Sequence, residues 1–331
     1  MHTRKRIGLI SFVAIFFIVG VFTARASAQM ALKFGHVGAP GSLFQICADE
    51  FAKRANDKLG DQAKVETYGS SQLGKDMEML RKLKLGTIDF ALPSTVMSSV
   101  VDVFGLFEMP YLVKNRCQMR KIREQIFWSK LEPAVEKKGY KIIAVWENGF
   151  RNITNNVRPI NVPEDLKGIK LRTPKGEWRV KMFKAYGANP TPMAFSEVFV
   201  ALQTGVIDGQ ENPLAQIYSA KFQEVQKYLS LTGHVYTPAY VTVGKDHWES
   251  LPEGVRKTLE ETARGMQEWV FETAFSLDKE LLEKIKDSLM INEVDKDAFI
   301  KASGPIYKEF GEQVEGGAEL IKQAQSLAEG C

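Results

Sequence analysis

An α/β protein built in two lobes is what this sequence predicts, and three observations carry that expectation. Strand-like alternation and helix-like periodicity trade places from Ala31 to Leu92, and the same exchange restarts after Gly149. No low-complexity linker or short repeat separates the two sets, so the lobes are expected to be joined by chain crossings, a geometry that places ligands between them. The chain has 331 residues, 44% hydrophobic and 25% charged, which matches soluble globular proteins and allows about two domains. Those fractions exclude a disordered chain, a collagen-like repeat and a multi-span membrane protein.

Taken in order, Ala31–His36 alternates as a strand, stopped by the Gly38-Ala-Pro-Gly41 run, and apolar residues then recur at helical spacing to Lys58. Ala63–Tyr68 alternates again, Asp76–Leu85 reads as a helix halted at Gly86, and Ile88–Leu92 as a short buried strand broken by Pro93. Strand, helix, strand, helix, strand at this spacing is a βαβαβ unit. A polar helix is expected from about Asn115 to Lys138, then a strand over Tyr140–Trp146. The second set comprises a strand at Ile169–Arg172, helices at Trp178–Tyr186 and Ser196–Thr204, and strands at Val206–Asp208 and Tyr240–Val243. From Glu253 to about Met290 the pattern is helical for nearly forty residues, long enough to expect a kink. Helices at Lys296–Glu312 and Ala318–Ala328 close the chain.

The formal charge of +4 sits at one end. Arg4, Lys5 and Arg6 precede an uncharged apolar run from Ile7 to Thr23, followed by Ala26-Ser27-Ala28. This is the three-part pattern of a secretory signal, with cleavage expected after Ala28. The run is short for a membrane span, and no later stretch approaches one. Residues 1–28 hold all four excess charges, so the remainder is formally neutral and nucleic acid is not an expected partner.

Cys47, Cys117 and Cys331 lie beyond the signal, so at least one is unpaired. With no C-x-x-C spacing and with His36, His234 and His247 scattered singly, neither a zinc site nor a disulfide scaffold is indicated. Cys47 reads as a small buried residue, and a Cys47–Cys117 pair is the bridge that an oxidising compartment would allow. No cofactor motif or catalytic signature occurs: G-x-S-x-G, H-E-x-x-H, the P-loop and G-x-G-x-x-G are all absent from the sequence.

The informative segments are Tyr68–Gly74 (YGSSQLG), Gly86–Leu92 (GTIDFAL), Asp165–Pro174 (DLKGIKLRTP), Met193–Pro213 (MAFSEVFVALQTGVIDGQENP) and Lys227–His234 (KYLSLTGH). In this order and spacing they resemble the solute-binding subunits of TRAP transporters, the DctP-like extracytoplasmic receptors, over nearly all the chain after the signal. The resemblance implies a periplasmic-binding-protein-like fold, each lobe a sheet flanked by helices, with a long helix of the C-terminal half spanning both. It implies lobe I at 29–150 with about 238–277, lobe II at 151–237 with about 278–331, and a cleft between them. It also implies a monomeric receptor without catalysis, one that takes a small organic anion, a C4-dicarboxylate as first choice, and hands it to the small and large integral membrane subunits.

Arg172 ends a short apolar strand, where open α/β sheets place ligand contacts, and a guanidinium there can grip a carboxylate with two hydrogen bonds. Spacing alone would leave it a surface or salt-bridged arginine; the resemblance makes it the clamp. By the same resemblance Arg151 is a second arginine turned to the ligand, Asn212 a hydrogen-bonding amide, and Phe195 an aromatic against the ligand's apolar face. Ser94 and His36, after first-lobe strands, are further candidates, as is Trp146; Glu147 could join them, and Trp178 reads rather as packing. Sialic-acid receptors of this family carry a carboxylate just before the Ser94 position. Pro93 stands there instead, which disfavours N-acetylneuraminate. A secreted hydrolase or lyase holding an acid on Arg172 is the competing class, and a sensory ligand-binding protein the third.

Overall fold

The computed structural model describes residues 29–331. The expected signal and its cleavage point lie outside the described residues. The first set runs β1 (Met30–Gly35), α1 (Leu43–Leu59), β2 (Ala63–Tyr68), α2 (Asp76–Lys84) and β3 (Phe90–Ala91). β1 pairs in parallel with β2 and with β3, which is the βαβαβ unit the periodicity predicts. The Ser42 hydroxyl starts α1 by accepting the Gln45 amide at 3.2 Å. Two 3-10 turns, Thr95–Ser99 and Asp102–Glu108, follow β3.

The polar helix expected over 115–138 is present in three pieces: α3 (Arg116–Ile122), a π-helical stretch (Arg123–Leu131) and α4 (Glu132–Glu136). Pro133 has no N–H to offer the Ser129 carbonyl, and the ladder widens ahead of it. β4 (Tyr140–Asn155) runs nine residues beyond the expected strand end at Trp146. There follow β5 (Lys170–Thr173), α5 (Glu177–Ala185), β6 (Asn189–Pro192), α6 (Val198–Gln203), β7 (Gly209–Asn212), α7 (Leu214–Ser219) and β8 (Tyr228–Gly244). The last set is α8 (Lys245–Ser250), α9 (Glu253–Gly265), α10 (Gln267–Ile285), β9 (Met290–Asn292), α11 (Lys296–Ala302), α12 (Gly304–Gln313) and α13 (Gly317–Ser326).

The strand order is β2-β1-β3-β8-β4-β7-β5-β6, with β9 on β8. β4 and β8 are long antiparallel strands whose one end joins β3 and whose other end joins β7 and β9. They carry the sheet from one half of the molecule into the other. Their register shifts at 142/144, 147/149 and 151/153, and Gly149 takes φ +122°, a conformation that a side chain would strain. β6 holds Pro190 and Pro192 and is tolerated because it is the sheet's outer strand.

The expected break in the long helical stretch falls at Met266, just after Gly265, between α9 and α10. α10 packs on β4, α1 and α7, so one helix touches elements from both sets. The helix expected over 296–312 is likewise divided, with Pro305 in the first turn of α12. Among the described residues, no helix is long and apolar enough to cross a membrane.

Cys47 is buried, as its reading expects, and the bridge that forms is not the Cys47–Cys117 pair that the sequence allows. Cys117 is bonded to Cys331, and Cys47 is buried and free in α1. Sequence spacing could not anticipate this, because the two halves of the bridge are 214 residues apart and meet only when α13 returns to the first half of the chain. α13, grouped from the sequence with the second lobe, packs on the 102–108 turn, and Gln118 Nε2 donates to Ala324 O at 2.8 Å.

Candidate functional site

A cavity lies where the two halves of the sheet face each other, enclosing about 390 Å³ of space not filled by protein atoms, part of it continuous with solvent. The first half contributes Val37 after β1, Phe44 of α1, Asp76 at the start of α2, and Ser94, Thr95 and Val96 after β3. The crossing strand β4 contributes Asn148 and Arg151; the second half contributes Arg172, Pro174, Phe195, Asn212 and Gln216. Five expected site residues, Arg172, Arg151, Asn212, Phe195 and Ser94, therefore share one cavity. Its rim is bridged by Lys75 Nζ to Glu197 Oε1 at 2.5 Å and by Ser99 Oγ donating to Lys175 O at 3.1 Å.

Arg172 is at the end of β5 and only 3% exposed. Its Nε and Nη2 donate to Met193 O at 3.1 and 2.8 Å, and its guanidinium carbon stands 6.0 Å from the centre of the Phe195 ring. Those contacts fix the plane of the group while Nη1 makes no hydrogen bond among the described residues. Burial pushes the Arg172 pKa down to about 9, with Glu211 pulling it up and Arg151 pushing it down further. A buried cation without a direct ion pair favours an anion in the space it faces.

Arg151 is differently placed. Its Nε meets Glu211 Oε2 at 2.5 Å, and its Nη2 donates to Glu211 O at 2.6 Å and Asn212 Oδ1 at 3.0 Å. Glu211 Oε2 also accepts from Arg179 Nη1 at 2.6 Å and from His234 Nε2 at 3.1 Å. Burial opposes ionisation of Glu211, but the two guanidiniums and His234 outweigh it and hold the carboxyl well below the usual range. Burial pushes His234 down to about 4; the neutral ring donates from Nε2 and accepts the Thr232 hydroxyl at Nδ1, 2.8 Å away. Arg179 Nη2 also stands 2.8 Å from Glu108 Oε2, an ion pair in which neither atom has hydrogen-bond geometry. The network holds Arg151 against the cavity wall and neutralises it there.

Asn212 Nδ2 donates to Gln210 Oε1 at 2.6 Å, which leaves its Oδ1 to Arg151. Ser94 Oγ donates to Pro238 O at 2.6 Å and accepts from Asn148 Nδ2 at 3.2 Å. Asn148 Oδ1 in turn accepts from Gln216 Nε2 at 3.4 Å. Asp76 is half-buried, and burial pushes its pKa up to about 6 against the pull of Arg172.

Two expected site residues are elsewhere. Trp146 is fully buried in the middle of β4, between Phe34 and Phe51 at 6.2 and 5.9 Å, with Nε1 donating to Ala263 O at 3.0 Å. The expectation took the strand to end at Trp146, which would have put it at the cleft; the strand continues to Asn155 and its tryptophan faces α9. His36 is buried behind the wall, edge-on to Phe44, and it is Val37 that reaches the cavity. Glu147 is also away from the cavity, paired with Arg116 at 2.5 Å. Trp178 packs on Phe310, as expected of it.

Asp76, Thr95, Asn148 and Gln216 line the cavity without having been anticipated. Helix starts and strand bends aim these side chains, and the folded arrangement of the two halves brings them together. Among the described residues, no group of three or more His, Cys, Asp or Glu side chains could hold a metal ion.

Comparison with known proteins places this geometry. The chain is 32% identical over 317 residues to the 2,3-diketo-L-gulonate-binding periplasmic protein YiaO of Escherichia coli, covering 94% of this chain and 97% of that one. It superposes on a TRAP periplasmic solute-binding protein of Sulfurospirillum deleyianum with bound succinate, with a TM-score of 0.86 and 33% identity over 91% of this chain and 99% of that one. It superposes equally on the sugar-acid-binding protein DctPAm of Advenella mimigardefordensis in complex with galactonate, with a TM-score of 0.87 and 30% identity over 91% and 98% of the two chains. The family model for the bacterial extracellular solute-binding proteins, family 7 (DctP), matches residues 34–313, and the chain belongs to that family of receptors.

Proposed function

We propose that this protein is the periplasmic receptor of a TRAP-type transporter, that it captures a small organic acid by its carboxylate on Arg172, and that it delivers the acid to the integral membrane subunits. The observation that carries the reading is a buried guanidinium facing a cavity between two half-sheets, with free N–H donors and no ion pair of its own. The relatives named above bind diketogulonate, succinate and galactonate, and all three ligands present a carboxylate.

Mechanistically the receptor does no chemistry on its ligand. Arg172 lies in the second half of the sheet and Ser94, Thr95 and Asp76 in the first, so only the closed arrangement lets one ligand touch both. The ligand binds that state better and shifts the population toward it. Phe195 covers the guanidinium, and Met193 O orients it, so a carboxylate arrives at a preset edge. Arg151, neutralised by Glu211, supplies hydrogen bonding more than net charge. Residues 1–28 are the export signal on this reading, cut after Ala28.

The test has two parts. The first is N-terminal sequencing of the exported protein, which is expected to begin at Gln29. The second is a thermal-shift screen of organic acids with parallel product analysis, expected to raise the melting temperature without consuming the acid. Turnover of the acid would replace the receptor with an enzyme.

A further inference from the structure

The polar groups of the cavity are unevenly matched, and the mismatch narrows the ligand. One end of a hydrogen-bond relay is fixed by Pro238 O, which can only accept. Ser94 must therefore donate to it and accept from Asn148 Nδ2, so Asn148 Oδ1 accepts from Gln216 Nε2. That orientation leaves Gln216 Oε1, in a side chain 2% exposed, as an acceptor with no donor. The Asp76 carboxylate is a second acceptor on the cavity, and no side chain among the described residues donates to it or pairs with it. It shares the cavity with Arg172 and feels its charge, yet no ion pair joins them, which leaves room for ligand atoms between the two. The buried Thr95 hydroxyl on the same wall is likewise without a partner.

Charge points the same way. Arg151 and Arg179 are balanced by Glu211 and Glu108, which leaves Arg172 facing Asp76. Among the described residues, Arg172 is the one cation on this cavity without a direct ion pair, so it can meet one carboxylate. A second would stand in a cavity whose remaining ionisable group is itself an acid, and it would bring no donor to Asp76 or to Gln216 Oε1.

Resting on the reading of this cavity as an organic-acid site, we propose that the ligand is a hydroxylated monocarboxylate. Its carboxylate lies on Arg172, and its hydroxyl groups donate to Asp76 and to Gln216 Oε1. The dicarboxylate expected from the sequence is thereby displaced by a polyhydroxy acid, and Asp76 and Gln216 become the residues that choose between them.

Isothermal titration of residues 29–331 with D-threonate, D-gluconate, succinate and butyrate tests this. At least one hydroxy acid is expected to bind about 100-fold or more tighter than succinate and butyrate. Asp76→Asn is expected to weaken hydroxy-acid binding at least about tenfold and to leave succinate unweakened. Succinate binding as tightly as the best hydroxy acid, with that binding lost in Arg172→Ala, overturns the ligand class and leaves the receptor reading intact. Failure of both hydroxy acids to bind overturns the ligand class, while the receptor reading stands or falls by the wider screen of organic acids. The wild-type ranking decides the matter even if a variant does not fold.

Discussion

Arg172 and Arg151 have the same chemistry and opposite situations. Arg172 spends two of its nitrogens on a neutral carbonyl, Met193 O, and keeps its positive charge for the cavity. Arg151 is joined to a fully buried glutamate that also holds Arg179 and His234. Removing one member of such a network leaves uncompensated buried charge. Glu211→Gln is therefore expected to destabilise the fold by about 3–5 kcal/mol in urea denaturation, and a loss under about 1 kcal/mol would contradict the network's role. His36 gives a pH signature. Burial holds it at about 4, below the ordinary 6.5, and both ring nitrogens lack partners, so the folded protein keeps it neutral. The stability it confers is present above pH 6.5 and lost as pH falls toward 4. In His36→Phe that loss is absent, so the variant is expected to gain on the wild type by about 2–3 kcal/mol between pH 7 and pH 4, read from urea midpoints. At this scale the sequence is legible where a motif fixes the strand end, as at Arg172 and Asn212. It is silent on Asp76 and Gln216, whose importance arises from donors they lack in three dimensions.

The elements explain why the site forms where it does. β4 and β8 were only half visible in the sequence, because strands buried on both faces lose the alternation that marks a half-exposed one, and their bulges interrupt what remains. That hidden length moved Trp146 from the cleft into the core. The βαβαβ unit was legible because each apolar run is bounded by its own Gly or Pro signal. α13 is an element whose sequence shows a helix but whose place depends on the Cys117–Cys331 bridge. Closing so long a loop constrains the unfolded chain, so Cys331→Ser is expected to lower stability by about 2–5 kcal/mol in denaturant titration. The bridge is remote from the cavity, and ligand affinity is expected to change less than about twofold. A large loss of affinity would mean that the C-terminal tie also sets the closed arrangement.

For the whole molecule, the two halves touch across the rim of the cavity, where Lys75 meets Glu197 and Ser99 meets Lys175. The Lys75 and Glu197 side chains are nearly half exposed, so the pair adds little energy, and the ligand has to supply most of the preference for closure. The basic character of the full sequence resides in its first 28 residues, while the anion-seeking character of the remainder is concentrated in one buried guanidinium. The most direct test of that arrangement is calorimetry of the tighter-binding of D-threonate and D-gluconate, and of its neutral amide, against wild-type protein and Arg172→Ala. The acid is expected to bind the wild type, with affinity falling about 100-fold or more when either the charge on the ligand or Arg172 is removed. Equal affinity of the acid for wild type and Arg172→Ala would contradict the carboxylate clamp.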